Sequence, residues 1–143
     1  MRDVFARKFD MDLTGRPTMV TVRGQAQLKD GSIHTDSVTK LITVLVYMNE
    51  AWEAPGGRLR ILRKSDDLDS TVAEVPPAAG TLLAFRVTPN CWHGHKPASG
   101  PRRVVQLNWV VSERVVRRER LRHGLSARVK RLLGRGGEAA SIS

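Results

Sequence analysis

The sequence predicts an all-β domain, a sandwich or a barrel of short strands. Segments rich in β-branched and apolar residues recur between residues 18 and 111, and Gly or Pro residues separate them. A helical spacing of apolar residues begins only after residue 112. The 143 residues suffice for one domain with a modest core. We therefore expect a lead-in segment at 1–17, a β core at 18–111 and a tail at 112–143.

The predicted strands follow one another closely along the core. The first, Thr18–Arg23, is β-branched and starts directly after Pro17. The second, Leu41–Met48 (LITVLVYM), is almost wholly apolar, which suits a strand buried on both faces. We expect the remaining extended segments at 58–63, 72–75, 81–85, 93–97 and 103–111.

The two ends of the chain have a different character from the core. The lead-in reads as irregular or partly helical and is stopped by Gly15-Arg16-Pro17. The tail carries nine Lys/Arg and three Asp/Glu, so its net charge is +6 of the chain's +10. We expect it to be helical and then disordered, dispensable for metal binding, and able to contact a polyanion.

Composition excludes several classes of protein. No apolar run approaches the ~20 residues that span a bilayer, so we expect no transmembrane segment. The first ten residues lack the apolar core of a secretion signal. The single cysteine, Cys91, excludes an intramolecular disulfide framework, and a reducing cytoplasm is the expected compartment.

Three residues carry the pattern of a metal site. His34 and Asp36 stand two positions apart, so in an extended segment both side chains project to one face. His93 follows beside a predicted strand and supplies a second imidazole. Two histidines and one carboxylate form the facial triad of non-haem iron(II) oxygenases, which leaves coordination positions free for other ligands. His95 is the alternative to His93 as the third ligand.

An arginine pair, Arg102-Arg103, precedes the apolar part of the last strand. A dicarboxylate that chelates iron at one end needs a cation at the other, and a guanidinium meets a carboxylate with two parallel hydrogen bonds. Arg103 shares strand parity with Trp109, so we expect Arg103 to point inward. By the same parity Arg102, Gln106 and Asn108 should point outward. Arg102 stays open as the alternative.

Taken together, the chain resembles the prolyl 4-hydroxylase-type branch of the 2-oxoglutarate/Fe(II) dioxygenases. The resemblance runs from about residue 31 to residue 111, and the motifs stand in the family's order. They are His34-x-Asp36, a strand ending Tyr47-Met48-Asn49, Trp52, Gly56-Gly57-Arg58-Leu59, Pro76 or Pro77, Gly80, Leu82–Phe85, His93-x-x-x-Pro97, and a final strand with Gly100, an arginine and Trp109.

The resemblance implies a double-stranded β-helix, the jelly-roll or cupin-like barrel. It implies Fe(II) held by His34, Asp36 and His93, and 2-oxoglutarate held by Arg103 with help from the hydroxyl of Tyr47. The implied reaction consumes O₂, hydroxylates a prolyl residue or a small amino-acid-like substrate, and releases succinate and CO₂, with ascorbate as a possible reductant.

Two other functions fit parts of the pattern. A cupin-like metal-binding barrel without 2-oxoglutarate would have no need of a buried cation on the last strand. A degenerate, non-catalytic binding module would fit the short segment before His34, because family members usually carry bracing elements there. The short segment would also fit a minimal form or one that needs a partner.

Overall fold

The computed structural model describes residues 1–119 and 121, and the expectations for 122–143 lie outside this part of the chain. The described part begins with one helix and continues with strands at the predicted places. The elements are α1 Arg2–Phe9, β1 Thr18–Ala26, β2 Lys40–Tyr47, β3 Leu59–Leu62, β4 Thr71–Val75, β5 Leu82–Arg86, β6 His93–Gly94 and β7 Gly100–Val110.

The strands form two antiparallel sheets. The large sheet has the order β1-β7-β2-β5, and the small sheet has the order β4-β3-β6. Phe85 of the large sheet contacts His93 of the small sheet, with ring centroids 5.0 Å apart, so the sheets face each other. The prediction of an all-β, jelly-roll core is confirmed.

The outer face of the large sheet packs against the lead-in segment. Phe5 of α1 lies 5.2 Å from the ring of Trp109 on β7, measured between ring centroids. Ile42 and Val44 of β2 and Leu13 complete this buried cluster. Large apolar side chains removed from water provide the main driving force for folding, so α1 is part of the hydrophobic core.

A second helical segment follows β7 at residues 113–119. Val116 is buried on it, whereas Arg117 and Arg118 are exposed. The apolar spacing predicted for the start of the tail is therefore seen here as helix. Within the described residues no helix has the length and apolar character that a membrane crossing requires.

Candidate metal centre

His34, Asp36 and His93 lie together at β6. Each offers one ligand atom, and these atoms all lie within 4.8 Å of one another. His34 and His93 form an isolated antiparallel bridge, in which each backbone N–H donates to the other's carbonyl at 3.0 and 2.9 Å. The bridge sets the separation of the two imidazoles, and Asp36 joins them because it stands two residues from His34.

The backbone also orients both imidazole rings. Nδ1 of His34 lies 2.8 Å from the carbonyl oxygen of Ser32, and Nδ1 of His93 lies 2.9 Å from that of Cys91. A ring nitrogen can meet a carbonyl oxygen only as the N–H donor, which leaves Nε2 of each ring with a lone pair. Burial lowers the pKa of His93, which favours the neutral, metal-binding form of the ring.

The Asp36 carboxylate is held by two neighbouring donors. Lys40 Nζ lies 2.6 Å from Oδ1, and the Thr43 hydroxyl donates to Oδ2. Burial by itself raises the pKa of Asp36, but the hydrogen bond and charge of Lys40, together with Thr43, outweigh it and lower the pKa. Asp36 is thus ionised at neutral pH, as a metal ligand must be.

A polar chain continues from Asp36 across the sheet to β7. Thr43 Oγ1 lies 2.9 Å from Oδ1 of Asn108, which in turn lies 3.2 Å from Nε2 of Gln106. Asn108 is fully buried, and Gln106 is half-buried. Both side chains lie on the face of β7 that carries the metal centre, so the expectation that they point outward is wrong.

The orientation expected for Arg103 is wrong for the same reason. Arg103 is exposed, whereas Arg102 is half-buried and donates from Nε to the carbonyl of Gly57 at 2.9 Å. An inward Arg103 would require Trp109, which shares its face of β7, to point toward the metal centre. Trp109 is instead buried on the opposite face, under α1, so Arg103 points away from the centre.

Arg102 and Tyr47 form a pair beside the metal centre. The Arg102 guanidinium carbon lies 5.4 Å from the centre of the Tyr47 ring, and Nη2 lies 3.5 Å from the hydroxyl. Burial raises the pKa of Tyr47, and the nearby Arg102 opposes this only in part. The hydroxyl therefore stays protonated, and the tyrosine ring and the guanidinium stack on each other.

Two cavities formed by the described residues adjoin the triad, and both reach His34 and Asp36. One, the Arg102 cavity, has a volume of about 370 Å³ and is lined by Leu45, Leu59, His95, Arg102 and Val104. The other, the Asn108 cavity, has a volume of about 390 Å³ and is lined by Met19, Thr21, Asn108, Val115, Arg118 and Glu119. Arg23, Lys40 and Gln106 line both cavities.

His95 lies in the wall of the Arg102 cavity and is not in the ligand cluster found among the described residues. Its Nδ1 lies 2.9 Å from the carbonyl of Lys96, and burial lowers its pKa. The ring packs against Gly31, where an added Cβ would come within 2.5 Å of it. Gly31, with φ of 97°, therefore lets the His34 loop approach β6 closely.

Sequence reasoning missed Lys40 and Thr43 as partners of Asp36. In the sequence Thr43 is one of several β-branched residues in an apolar strand. A polar residue in a strand expected to be buried on both faces needs a hydrogen-bonding partner, and that signal was available. Lys40 stands four residues after Asp36 at the start of the same strand, but nothing in the sequence shows which way its side chain turns.

The donor set fits a non-haem iron centre. Two neutral imidazoles and one carboxylate suit Fe(II), and the triad adjoins two cavities that leave room for further ligands. Lys40 and Thr43, which donate hydrogen bonds to Asp36, are also typical of the outer-sphere groups that orient a ligating carboxylate. The chemistry of the residues is therefore compatible with this metal.

Solved structures give the fold an independent comparison. A prolyl-4-hydroxylase from Pseudomonas putida is similar at a TM-score of 0.57 and 20% identity, over 78% of this chain and 61% of that one. This likeness shows the fold, and this chain spans about three fifths of the length of that enzyme. A structure titled as Bacillus endospore appendages, disulfide-linked pili, matches at a TM-score of 0.36 and 13% identity, over 68% and 88% of the two chains. A TM-score this low does not indicate a shared fold.

Comparison at the level of families is more decisive. No curated protein matches the chain significantly. The family model of the 2OG-Fe(II) oxygenase superfamily matches residues 24–111, more than half of the chain and all of the triad. Fe(II) and 2-oxoglutarate are the metal and co-substrate that this family implies, together with O₂ and a substrate to be oxidised. The chain therefore belongs to the 2OG-Fe(II) oxygenase superfamily.

Proposed function

We propose that this chain is a 2-oxoglutarate- and Fe(II)-dependent hydroxylase with His34, Asp36 and His93 as its iron ligands. The observation that carries the proposal is the convergence of these three side chains beside a cavity whose wall contains Arg102. A metal at the triad and a guanidinium in the same cavity match the two ends of a 2-oxo dicarboxylate. In this proposal Arg102, not Arg103, binds the far carboxylate, and the Tyr47 hydroxyl adds a hydrogen bond.

The protein's own part in the reaction is positioning. Ser32 and Cys91 carbonyls hold the two imidazole tautomers, while Lys40 and Thr43 hold the carboxylate. Leu45, Leu59 and Val104 give the Arg102 cavity apolar walls beside the charged contact. The bound iron and 2-oxoglutarate would supply the oxidising chemistry, with succinate and CO₂ as products.

The substrate is part of the proposal. We infer a prolyl residue or a small amino-acid-like molecule, which is supported by the likeness in fold to a prolyl-4-hydroxylase. Ascorbate would serve as an accessory reductant. A cytoplasmic location is supported by the single cysteine, and a polyanion contact is supported by the excess of Lys/Arg over residues 112–143.

A spectroscopic titration tests the proposal without the substrate. Fe(II) and then 2-oxoglutarate are added under anaerobic conditions, and the weak visible metal-to-ligand charge-transfer band is recorded. We expect the band in the wild-type protein and its loss in His93→Ala. Absence of the band from folded protein that binds Fe(II) would favour the cupin-like barrel without 2-oxoglutarate. Absence of Fe(II) binding would refute the proposal and favour the non-catalytic module.

A further inference from the structure

The Asn108 cavity has no part in the function proposed above, although it reaches the same metal ligands. It contains His34 and Asp36 in its wall but neither Arg102 nor the apolar residues Leu45, Leu59 and Val104. Its volume of about 390 Å³ suits a small molecule. A compound bound there would lie next to the metal centre without displacing 2-oxoglutarate from the Arg102 cavity.

The charges around this cavity favour an anion. Its wall contains the three cationic side chains of Arg23, Lys40 and Arg118 against two acidic ones, Asp36 and Glu119. Lys40 and Asp36 form an ion pair with each other, and Glu119 has an interaction of its own. Arg23 and Arg118 are therefore the groups that would attract negative charge to this cavity.

The inner end of the cavity retains unused hydrogen-bonding capacity. Asn108 is fully buried, and within residues 1–119 and 121 its Nδ2 has no hydrogen-bond partner. A buried amide atom without a partner costs free energy, but Asn108 has no accessible surface, so the polar groups that a ligand can reach are those of its neighbours. Thr21 and Gln106 add further polar groups to the same wall.

We infer that the Asn108 cavity binds the oxidised substrate, and that this substrate is a small polar molecule with a carboxylate or phosphate group. The anionic group lies near Arg118 and Arg23, which are exposed, while a hydrogen-bonding group faces Thr21 and Gln106. This inference rests on the proposed function. It favours a free acid over a prolyl residue inside a peptide, because an internal residue carries no anionic group of its own.

Matched pairs of neutral and anionic probes test the inference. The protein loaded with Fe(II) and 2-oxoglutarate is titrated anaerobically with N-acetyl-L-amino acids and their primary amides, and with phosphate monoesters and their parent alcohols. We expect at least one anionic probe to bind about tenfold more tightly than its neutral partner, as one charge-assisted contact provides. Which of the two series binds identifies the anionic group. Equal or tighter binding of the neutral probes, or no binding by any anionic probe, overturns the inference.

Two adjacent arginines provide a variant and its control. Arg118 lines the cavity, and Arg117 is exposed on the same helix and does not line it. Arg118→Gln should weaken the anionic probe by about tenfold, while Arg117→Gln should leave its affinity within about twofold of wild type. Equal effects of the two substitutions would overturn the inference.

The charge-transfer band separates this inference from the proposed function. If wild-type protein gives the band but binds no anionic probe, only the substrate class is wrong. If wild-type protein gives no band, the proposed function itself has failed. Loss of the band in Arg118→Gln would place Arg118 in the 2-oxoglutarate site and overturn the inference.

Discussion

Replacing Arg102 by Gln should weaken 2-oxoglutarate binding and leave Fe(II) binding unchanged. Glutamine keeps part of the side-chain volume and one N–H donor group but removes the charge and the planar fork. The metal ligands are untouched, because Arg102 contacts Gly57 and Tyr47 rather than the triad. The variant therefore separates the two ends of the proposed co-substrate site.

The structure sets the size of the effect. Loss of one partner from a charge pair at a binding site costs about 2–5 kcal/mol. Arg102 is only half-buried, so solvent screens its charge and the lower end of this range applies. About 2 kcal/mol corresponds to an increase in Kd of about 30-fold. Tyr47→Phe removes one neutral donor and should cost about 1 kcal/mol, a factor of about five.

Arg103→Gln is the matched control, because Arg103 is its neighbour and is exposed. It should change the Kd for 2-oxoglutarate by less than about twofold. The assay is an anaerobic titration of the Fe(II)-loaded protein, followed by the charge-transfer band. A large effect of Arg103→Gln with none of Arg102→Gln would refute the assignment of faces on β7. No effect of either would place the far carboxylate elsewhere.

Three further outcomes follow from the contacts described above. Thr43→Val removes a donor to Asp36 and should lower Fe(II) affinity by about 10- to 100-fold. Thr71→Val is the control, because the Thr71 hydroxyl contacts the Leu68 carbonyl and not a metal ligand. Equal Fe(II) affinities of the two variants would contradict a positioning role for Thr43. Phe5→Ala should reduce the free energy of unfolding, measured in urea, by about 3–5 kcal/mol, because Phe5 packs on Trp109. Val4 is exposed, so Val4→Ala is the control. Equal effects of the two substitutions would show that α1 is not part of the core. Truncation after Leu121 removes five Lys/Arg and one Glu. It should preserve binding of Fe(II) and 2-oxoglutarate and weaken salt-dependent retention on heparin; unchanged retention would contradict a polyanion contact through the tail.

The sequence was sufficient where the deciding geometry is local. The two-residue spacing of His34 and Asp36 puts both side chains on one face of an extended segment, whatever the rest of the chain does. Alternation and turn residues likewise located the strands, because both reflect backbone preferences of short segments. The third ligand, His93, could be identified only from the ordered set of motifs, because no local rule links it to His34.

The sequence was insufficient where both faces of a strand are buried and only one of them meets the metal centre. Alternation on β7 shows that Arg103 and Trp109 share a face, but it does not show which face meets the metal centre. Both faces are partly buried, one against α1 and one against the site, so burial does not distinguish them either. Only the position of α1, a long-range contact, decides between Arg102 and Arg103.

The two faces of β7 also separate two kinds of mutational damage. Val105, Leu107 and Trp109 stand on the face toward α1, so substitutions there should give proteins that lose function on mild heating but work when cold. Arg102 and Gln106 stand on the other face and are half-buried, so substitutions there should impair the site and leave heat resistance largely unchanged. Single substitutions at these five positions, screened before and after a heat step, would thus separate damage to the core from damage to the site.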